Sequence, residues 1–241
     1  MKKNLATYVA MAAMSTFTGV GIAGAYAQSS GNVIVYGVLD INLRAVKNGD
    51  TGTAILQDGG TLNASRIGFK GLEDLGGGMK AGFVLESGFN ADTGRQTSQA
   101  KLYNRRSTVS LITPYGEIRL GHDNSPSYFN LIMFEPFGGG GVGSYINMFT
   151  SGGISSPLHS GATTISRTDN GVGYFLPPNL GGWYGQAQIA PGEGIVGNRH
   201  AGARLGYANG PVDIAATYGR TWIANDKHFN IFGLGASYNF G

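Results

Sequence analysis

The chain has 241 residues, 17 Lys and Arg against 14 Asp and Glu, and only 13% charged side chains; 42 residues are glycine, 41% are hydrophobic and 11% aromatic. Low charge with high glycine would suit disorder, but this apolar and aromatic content requires a buried or lipid-covered surface. Cysteine is absent, which excludes a disulfide framework, a thiolate metal site and a cysteine nucleophile.

The chain opens Met1-Lys2-Lys3, runs through a mostly apolar stretch from Leu5 to Ala23 and reaches Ala25-Tyr26-Ala27. A basic start, an apolar middle and small residues one and three positions before a cut predict a signal peptide over residues 1–27, leaving 28–241 as the mature domain. Loss of Lys2 and Lys3 reduces the 17 basic residues to 15 against 14 acids, a net charge of about +1, so no nucleic-acid surface is indicated. No later run reaches the roughly 18 apolar residues of a helical membrane span.

From Asn32 to Val46, apolar Val33, Val35, Leu39, Ile41 and Leu43 alternate with a face carrying Tyr36, Asp40 and Arg44. This period predicts one long strand, of a length that suits a tilted membrane crossing. Residues 47–63, rich in Gly, Asp, Thr and Asn, read as an exposed loop. Ser65 to Phe89 then reads as a hairpin. Arg66, Gly68 and Lys70 share one face of its first arm and Ile67 and Phe69 the other; Ala81, Phe83 and Leu85 oppose Lys80, Gly82 and Glu86 on the second. The turn between the arms contains Gly76-Gly77-Gly78. Such a hairpin fits a soluble sandwich with an apolar core, or an outer-membrane barrel with lipid outside and a polar lumen.

Residues 90–101 read as loop, Leu102 to Ile112 as strand, Pro114-Tyr115-Gly116 as a turn, and Glu117 to Gly121 as a strand with Glu117 and Arg119 on its polar side. Long loops thus alternate with short turns, which is the asymmetry of outer-membrane barrels. Residues 123–168 break the rhythm. Their apolar Tyr128-Phe129-Asn130-Leu131-Ile132-Met133-Phe134 suits one short helix, for which the lumen wall is the candidate surface. Five more strands follow, over Asp169 to Leu176, Gly182 to Ala190, Arg199 to Ala208, Pro211 to Arg220 and Phe229 to Phe240, making ten. Trp183, Tyr184, Tyr207, Tyr218, Trp222, Phe229, Tyr238 and Phe240 lie near strand ends, where aromatic girdles sit at a bilayer boundary. The fold class expected is therefore all-β, an antiparallel transmembrane β-barrel.

Enzyme chemistry finds no support. His122, His159, His200 and His228 have no paired metal-ligand spacing. Gly138, Gly140 and Gly143 satisfy G-x-G-x-x-G in letters, but follow no strand of a βαβ unit. Neither G-x-S-x-G nor a phosphate-loop lysine motif occurs. No catalytic residue, cofactor or metal is expected.

Val35-Tyr36-Gly37-Val38-Leu39-Asp40, the run from Ser65 to Gly78, Leu85-Glu86-Ser87-Gly88-Phe89, Tyr103-Asn104-Arg105, Leu120-Gly121 and Leu234-Gly235-Ala236-Ser237-Tyr238 together resemble the general diffusion porins of Gram-negative outer membranes, most closely the β-proteobacterial type. The resemblance implies a homotrimer of sixteen-stranded barrels in the outer-membrane lipid, each a water-filled pore narrowed by its inward-folded third loop, here 123–168. By motif position Arg66, Lys70 and Arg105 match basic residues of the pore wall, Arg167 matches another just after the loop, and Glu135 lies at the loop tip, which normally supplies carboxylates opposite them. Asp40, Arg44, Glu86 and Arg119 are expected to line the pore. Cations facing carboxylates create a transverse field that sorts small solutes.

Three departures stand out. His122 takes the place of a usual arginine, Arg106 falls on a face expected to point outward beside Arg105, and about ten strands are present of the sixteen. Either the sequence is partial at its C-terminus or ten strands close into a narrower barrel. The function expected is passive diffusion of small hydrophilic solutes and ions, with a lean toward anions. The alternatives are a non-conducting outer-membrane barrel, enzyme or adhesin, and a porin fragment without independent function.

Overall fold

The computed structural model describes residues 32–47, 52–60, 63–137, 139, 143–145 and 162–241; the signal peptide expected over 1–27 lies outside them. Alternation in sequence becomes register in a sheet. The described strands are β1 (Asn32–Val38), β2 (Asn42–Lys47), β3 (Thr53–Asp58), β4 (Arg66–Gly76), β5 (Met79–Gly88), β6 (Arg106–Thr113), β7 (Gly116–Asn124), β8 (Arg167–Phe175), β9 (Trp183–Ala190), β10 (His200–Asn209), β11 (Val212–Trp222) and β12 (His228–Tyr238), with one helix, α1 (Pro126–Phe134), between β7 and β8. Ten strands form one antiparallel sheet in the order β1-β4-β5-β6-β7-β8-β9-β10-β11-β12, and β2 and β3 form a separate hairpin.

The single strand expected from Asn32 to Val46 is two. After Val38 the chain leaves the ladder. The Asp40 amide donates to Ser65 Oγ (2.9 Å), and Ser65 Oγ donates to the Asp40 carbonyl (3.1 Å). This side-chain clasp ends the β1–β4 pairing, and β2 pairs instead with β3, inside the stretch expected to be loop.

The β4–β5 turn is tight because Gly76, Gly77 and Gly78 all adopt positive φ (79°, 61° and 79°), which side chains disfavour. Short links also join β6 to β7 and β10 to β11, and 176–182 joins β8 to β9, while at the opposite end the connections 39–65, 89–105, 125–166 and 191–199 are longer and 223–227 is the short exception. The two ends of the sheet therefore differ as the spacing of turns predicted.

Exposure decides between sandwich and barrel. One face carries Ile67, Val109, Leu120, Ile189, Leu205, Ile214, Phe232 and Leu234, all exposed, with Phe232 at 67% and Leu234 at 73%. The other carries Thr108, Ser110, Arg119, Gln186, Gln188, Arg204 and Thr217, all buried. A water-soluble fold shows the reverse. Apolar outside and polar inside is the arrangement of a barrel wall in lipid. β1 and β12 are the two edges and do not pair with each other, so the ten strands form an open, curved wall and not a narrower closed barrel.

Most of the aromatic girdle faces outward. Trp183 and Tyr207 are register partners with ring centroids 5.2 Å apart, and Tyr238 and Phe240 lie 4.8 Å apart, all at the short-turn end. Tyr218 and Trp222 mark the loop end of β11. From Ile214, the partner of Tyr207, to Trp222 is about 27 Å along the strand at 3.4 Å per residue, comparable with a 25 Å apolar band once tilt is allowed. Tyr184 and Phe229 depart from the expectation: both sit on the inward register.

Candidate functional site: the polar inner wall and its helix

The inner wall is built by register. Across β4 to β7, Gly68 faces Glu86, Glu86 faces Arg106, and Ser110 faces Arg119, which brings residues more than 50 positions apart onto one polar surface. Glu86 is its hub. Its Oε1 accepts from Arg105 Nε at 2.6 Å; its Oε2 accepts from the Tyr36 hydroxyl at 3.0 Å and lies 3.5 Å from Arg66 Nε. Arg105 precedes β6 and is held by its amide, which donates to the Glu86 carbonyl (3.1 Å). Arg167, at the start of β8, donates from Nε to the Arg105 carbonyl (2.8 Å) and lies over the Tyr128 ring of α1 at 5.7 Å. Arg66 and Arg105 thus gather around one carboxylate, and Arg167 is tied to them through the Arg105 carbonyl. Lys70 stands further toward the turn end, 5.6 Å from the Tyr36 ring, with no carboxylate partner among the described residues.

A second network lies beside the first. Arg119 donates from Nε to Glu117 (2.7 Å) and from Nη1 to Asp123 (2.7 Å), and its guanidinium sits 3.9 Å above the Phe175 ring. Arg119 faces inward as expected, but at 2% exposure it is sealed within the wall and does not line open space. Arg106 does not point outward. Its Nε lies 3.5 Å from Asp123 and donates to Thr108 Oγ1 at 3.2 Å. The strand starts at Arg106, so Arg105 belongs to the preceding turn and imposes no alternation on its neighbour. The polar spacing Arg106, Thr108, Ser110 carried the correct signal.

Other expected site residues have structural duties. Arg44 lies on β2, outside the ten-stranded sheet, paired with Asp58. Asp40 accepts from the Asn63 amide (2.7 Å) and ties the base of the β2–β3 hairpin. Glu135 follows α1 and accepts from the amides of Gly139 (2.5 Å) and Tyr145 (2.6 Å), so its carboxylate folds the loop onto itself. His122 is opposite Ser107 on the outward register, where a bulge interrupts β7–β8, and lines the same cavity as Arg167. Its Nδ1 pairs with Asp169 (2.6 Å), which also accepts from Lys101, beside this cavity of 320 Å³. The Gly138 and Gly140 of the G-x-G-x-x-G match, and His159, lie outside the described residues. Among the described residues no group of His, Asp or Glu could hold a metal.

Helix α1 begins where Ser125 caps it, accepting from the Tyr128 amide (3.2 Å), with Pro126 in the first turn. Ser125 also closes the loop base: its amide donates to the Ser166 carbonyl (3.0 Å) and its hydroxyl to the Ile165 carbonyl (3.1 Å). The helix packs on the inner face of β10 to β12. There the wall is nearly bare, because a Cβ on Gly235 would meet Phe134 at 2.1 Å and one on Gly219 would meet Ser127 at 2.6 Å. In the last turn of the helix, Met133 Sδ is reached by Arg204 Nη2 (2.7 Å), whose guanidinium lies 4.7 Å from the Tyr184 ring, and Tyr184 donates to Asp213 (2.5 Å). Sequence reading missed this cluster, since its members come from four elements.

A polar inner wall, an apolar outer face, girdles at both rims and a helix folded against the inside define a transmembrane β-barrel wall. The chain matches the family model of the Gram-negative porin over residues 7–241 and belongs to that family, an outer-membrane family of channels and not of enzymes. It is 32% identical to outer membrane porin protein 32 of Delftia acidovorans, over 100% of this chain and 67% of that protein, and 30% identical to an outer membrane porin protein of Bordetella pertussis, over 91% and 63%. Among solved structures it is similar to the anion-selective porin from Comamonas acidovorans, with a TM-score of 0.74 and 30% identity over 88% of this chain and 64% of that one. The chain spans about two thirds of the length of these relatives.

Proposed function

We propose that the protein forms the wall of a water-filled pore for passive diffusion of small hydrophilic solutes and ions, with a preference for anions. The pairing of Arg66 and Arg105 with the single carboxylate of Glu86, joined by Arg167, which lies over Tyr128 of α1, carries this reading. Three fixed guanidinium charges against one carboxylate leave a positive local field where the loop narrows the lumen, and a low-dielectric wall focuses such a field. Lys70 extends it toward the turn end. The 123–168 loop acts as the constriction, with α1 as its rigid part; Glu135 shapes the loop and the wall supplies the selectivity. The similarity to a porin described as anion-selective supports the same sign. Residues 28–241 act as the barrel domain after removal of the signal peptide, and the working unit is the homotrimer that the family implies.

The test is the conductance of the protein reconstituted in a planar bilayer under a salt gradient. Discrete steps with an anion-selective reversal potential are expected once the free β1 and β12 edges are paired, by further strands or by another copy of the chain, and failure to insert would show that these edges stay unpaired. In the doubly substituted Arg66→Glu, Arg105→Glu protein the reversal potential should move toward cations. An unchanged potential would refute the placement of these residues at the constriction, and silence from folded, inserted protein would favour a non-conducting barrel.

A further inference from the structure

The last turn of α1 holds a sulfur against a buried cation. Met133 is 37% exposed, and its Sδ lies 2.7 Å from Arg204 Nη2. Arg204 comes from the inward register of β10, between Gln186 of β9 and Thr217 of β11, and is only 7% exposed. Its guanidinium is short of acceptors. The Tyr184 ring lies 4.7 Å from it, over the bare backbone of Gly206, and Asp213 is engaged by the Tyr184 hydroxyl instead. Among the described residues Arg204 pairs with no carboxylate, and its Nε has no hydrogen-bond partner. A thioether is a weak acceptor, so a buried charge rests on a soft contact where oxygen acceptors would ordinarily stand.

We propose that Met133 is a site of oxidative modification, and that its sulfoxide locks α1 to the inner wall through Arg204. The oxidant is a hydroperoxide, hydrogen peroxide in the simplest case, a small neutral solute of the kind a water-filled pore admits; its access to the sulfur rests on the pore reading above. One sulfur lone pair meets the guanidinium, and the other remains for attack from the exposed side. That lone pair attacks the nearer peroxide oxygen and the O–O bond breaks. The departing hydroxide takes the proton of the transferred oxygen, so thioether and peroxide give sulfoxide and water. Negative charge developing on the leaving oxygen falls beside a guanidinium, which favours the step. The sulfoxide oxygen is a far better acceptor than the thioether, and it gives Arg204 the partner that the wall does not supply. Met79, at the start of β5, is the internal contrast: it is 41% exposed, but no arginine reaches its sulfur among the described residues.

The folded full chain in detergent is treated with hydrogen peroxide, mapped by peptide mass and followed by amide hydrogen exchange across α1. Met133 should gain one oxygen, and exchange across the helix should slow about tenfold, as expected for one added hydrogen bond to a charged group. Methionine sulfoxide reductases for both epimers should reverse both changes. In Arg204→Leu protein Met133 should still be oxidised while exchange is not slowed, and in Met133→Leu protein peroxide should leave exchange across α1 unchanged. Met133 left unmodified where Met79 is oxidised overturns the proposal, and so does exchange that quickens or stays the same in the oxidised native chain. Should Arg204→Leu fail to fold, the comparison of the native chain with Met133→Leu decides alone: equal slowing in both overturns the proposal. These readouts do not depend on conduction, so a protein silent in bilayers but oxidised and slowed at α1 would refute the pore reading while supporting this one.

Discussion

Glu86 Oε1 lies 2.6 Å from Arg105 Nε, although the two residues sit on different elements separated by a loop. β5 aims the carboxylate inward, and the turn before β6 brings the guanidinium back to it through the Arg105 amide and the Glu86 carbonyl. The pair is a brake on the field of the inner wall, because the same carboxylate also faces Arg66.

Replacing Glu86 by Gln removes one negative charge while keeping an acceptor for Tyr36 and Arg105. At about 7 Å in water a unit charge is worth about 0.6 kcal/mol, gained by a passing anion and lost by a cation, so the anion-to-cation permeability ratio should rise about sevenfold, read from the reversal potential. A ratio that stays the same would place Glu86 away from the conducting path.

Gly235→Val should dislodge α1. A Cβ at Gly235 meets Phe134 at 2.1 Å, and pairing with Ala215 of β11 holds this edge strand in register beneath the helix. Single-channel conductance should change while the barrel still inserts, and Phe134→Ala in the same protein should restore it. Failure of that second substitution to restore conductance would show that the glycine serves strand geometry alone.

Asp123→Ala leaves Arg119 and Arg106 without their shared buried carboxylate. Breaking one side of a buried ion pair typically costs about 3–5 kcal/mol, and urea-dependent folding into lipid bilayers should report a loss of that size. Arg119→Met, which removes the charge and keeps the stem against Phe175, should cost less.

Burial, with the Tyr128 phenol and the Glu135 carboxylate nearby, pushes the Tyr145 phenol far above the usual tyrosine range. A raised value means that the folded loop favours the protonated phenol; the associated stability is complete below the ordinary tyrosine value near 10 and is lost progressively as pH rises above it. Tyr145→Phe should therefore leave the number of phenols titrating below pH 10 unchanged in absorbance difference spectra, and should slow the alkaline loosening of the loop seen by hydrogen exchange.

Much of this architecture is written locally. Two-residue alternation in Arg66–Lys70 and Ala81–Glu86, glycines at 76–78 and the contrast of long and short connections were enough to place the ten strands of the sheet, their two faces and the inward helix, because side-chain direction in a strand depends only on neighbouring residues. The same local rule identified Arg66, Glu86 and Arg119 as inward.

What the tertiary structure decided is which inward groups meet and which positions leave the ladder. Ser65 clasping Asp40 diverts β2, and with it Arg44, out of the wall; the start of β6 at Arg106 reverses the expected direction of that arginine. Glu135 turns to amides four and ten residues ahead, and Phe134 finds a glycine 101 positions away. Each outcome depends on cross-strand register and on packing between distant segments, and those are long-range properties of the sheet that the period of a single strand does not encode.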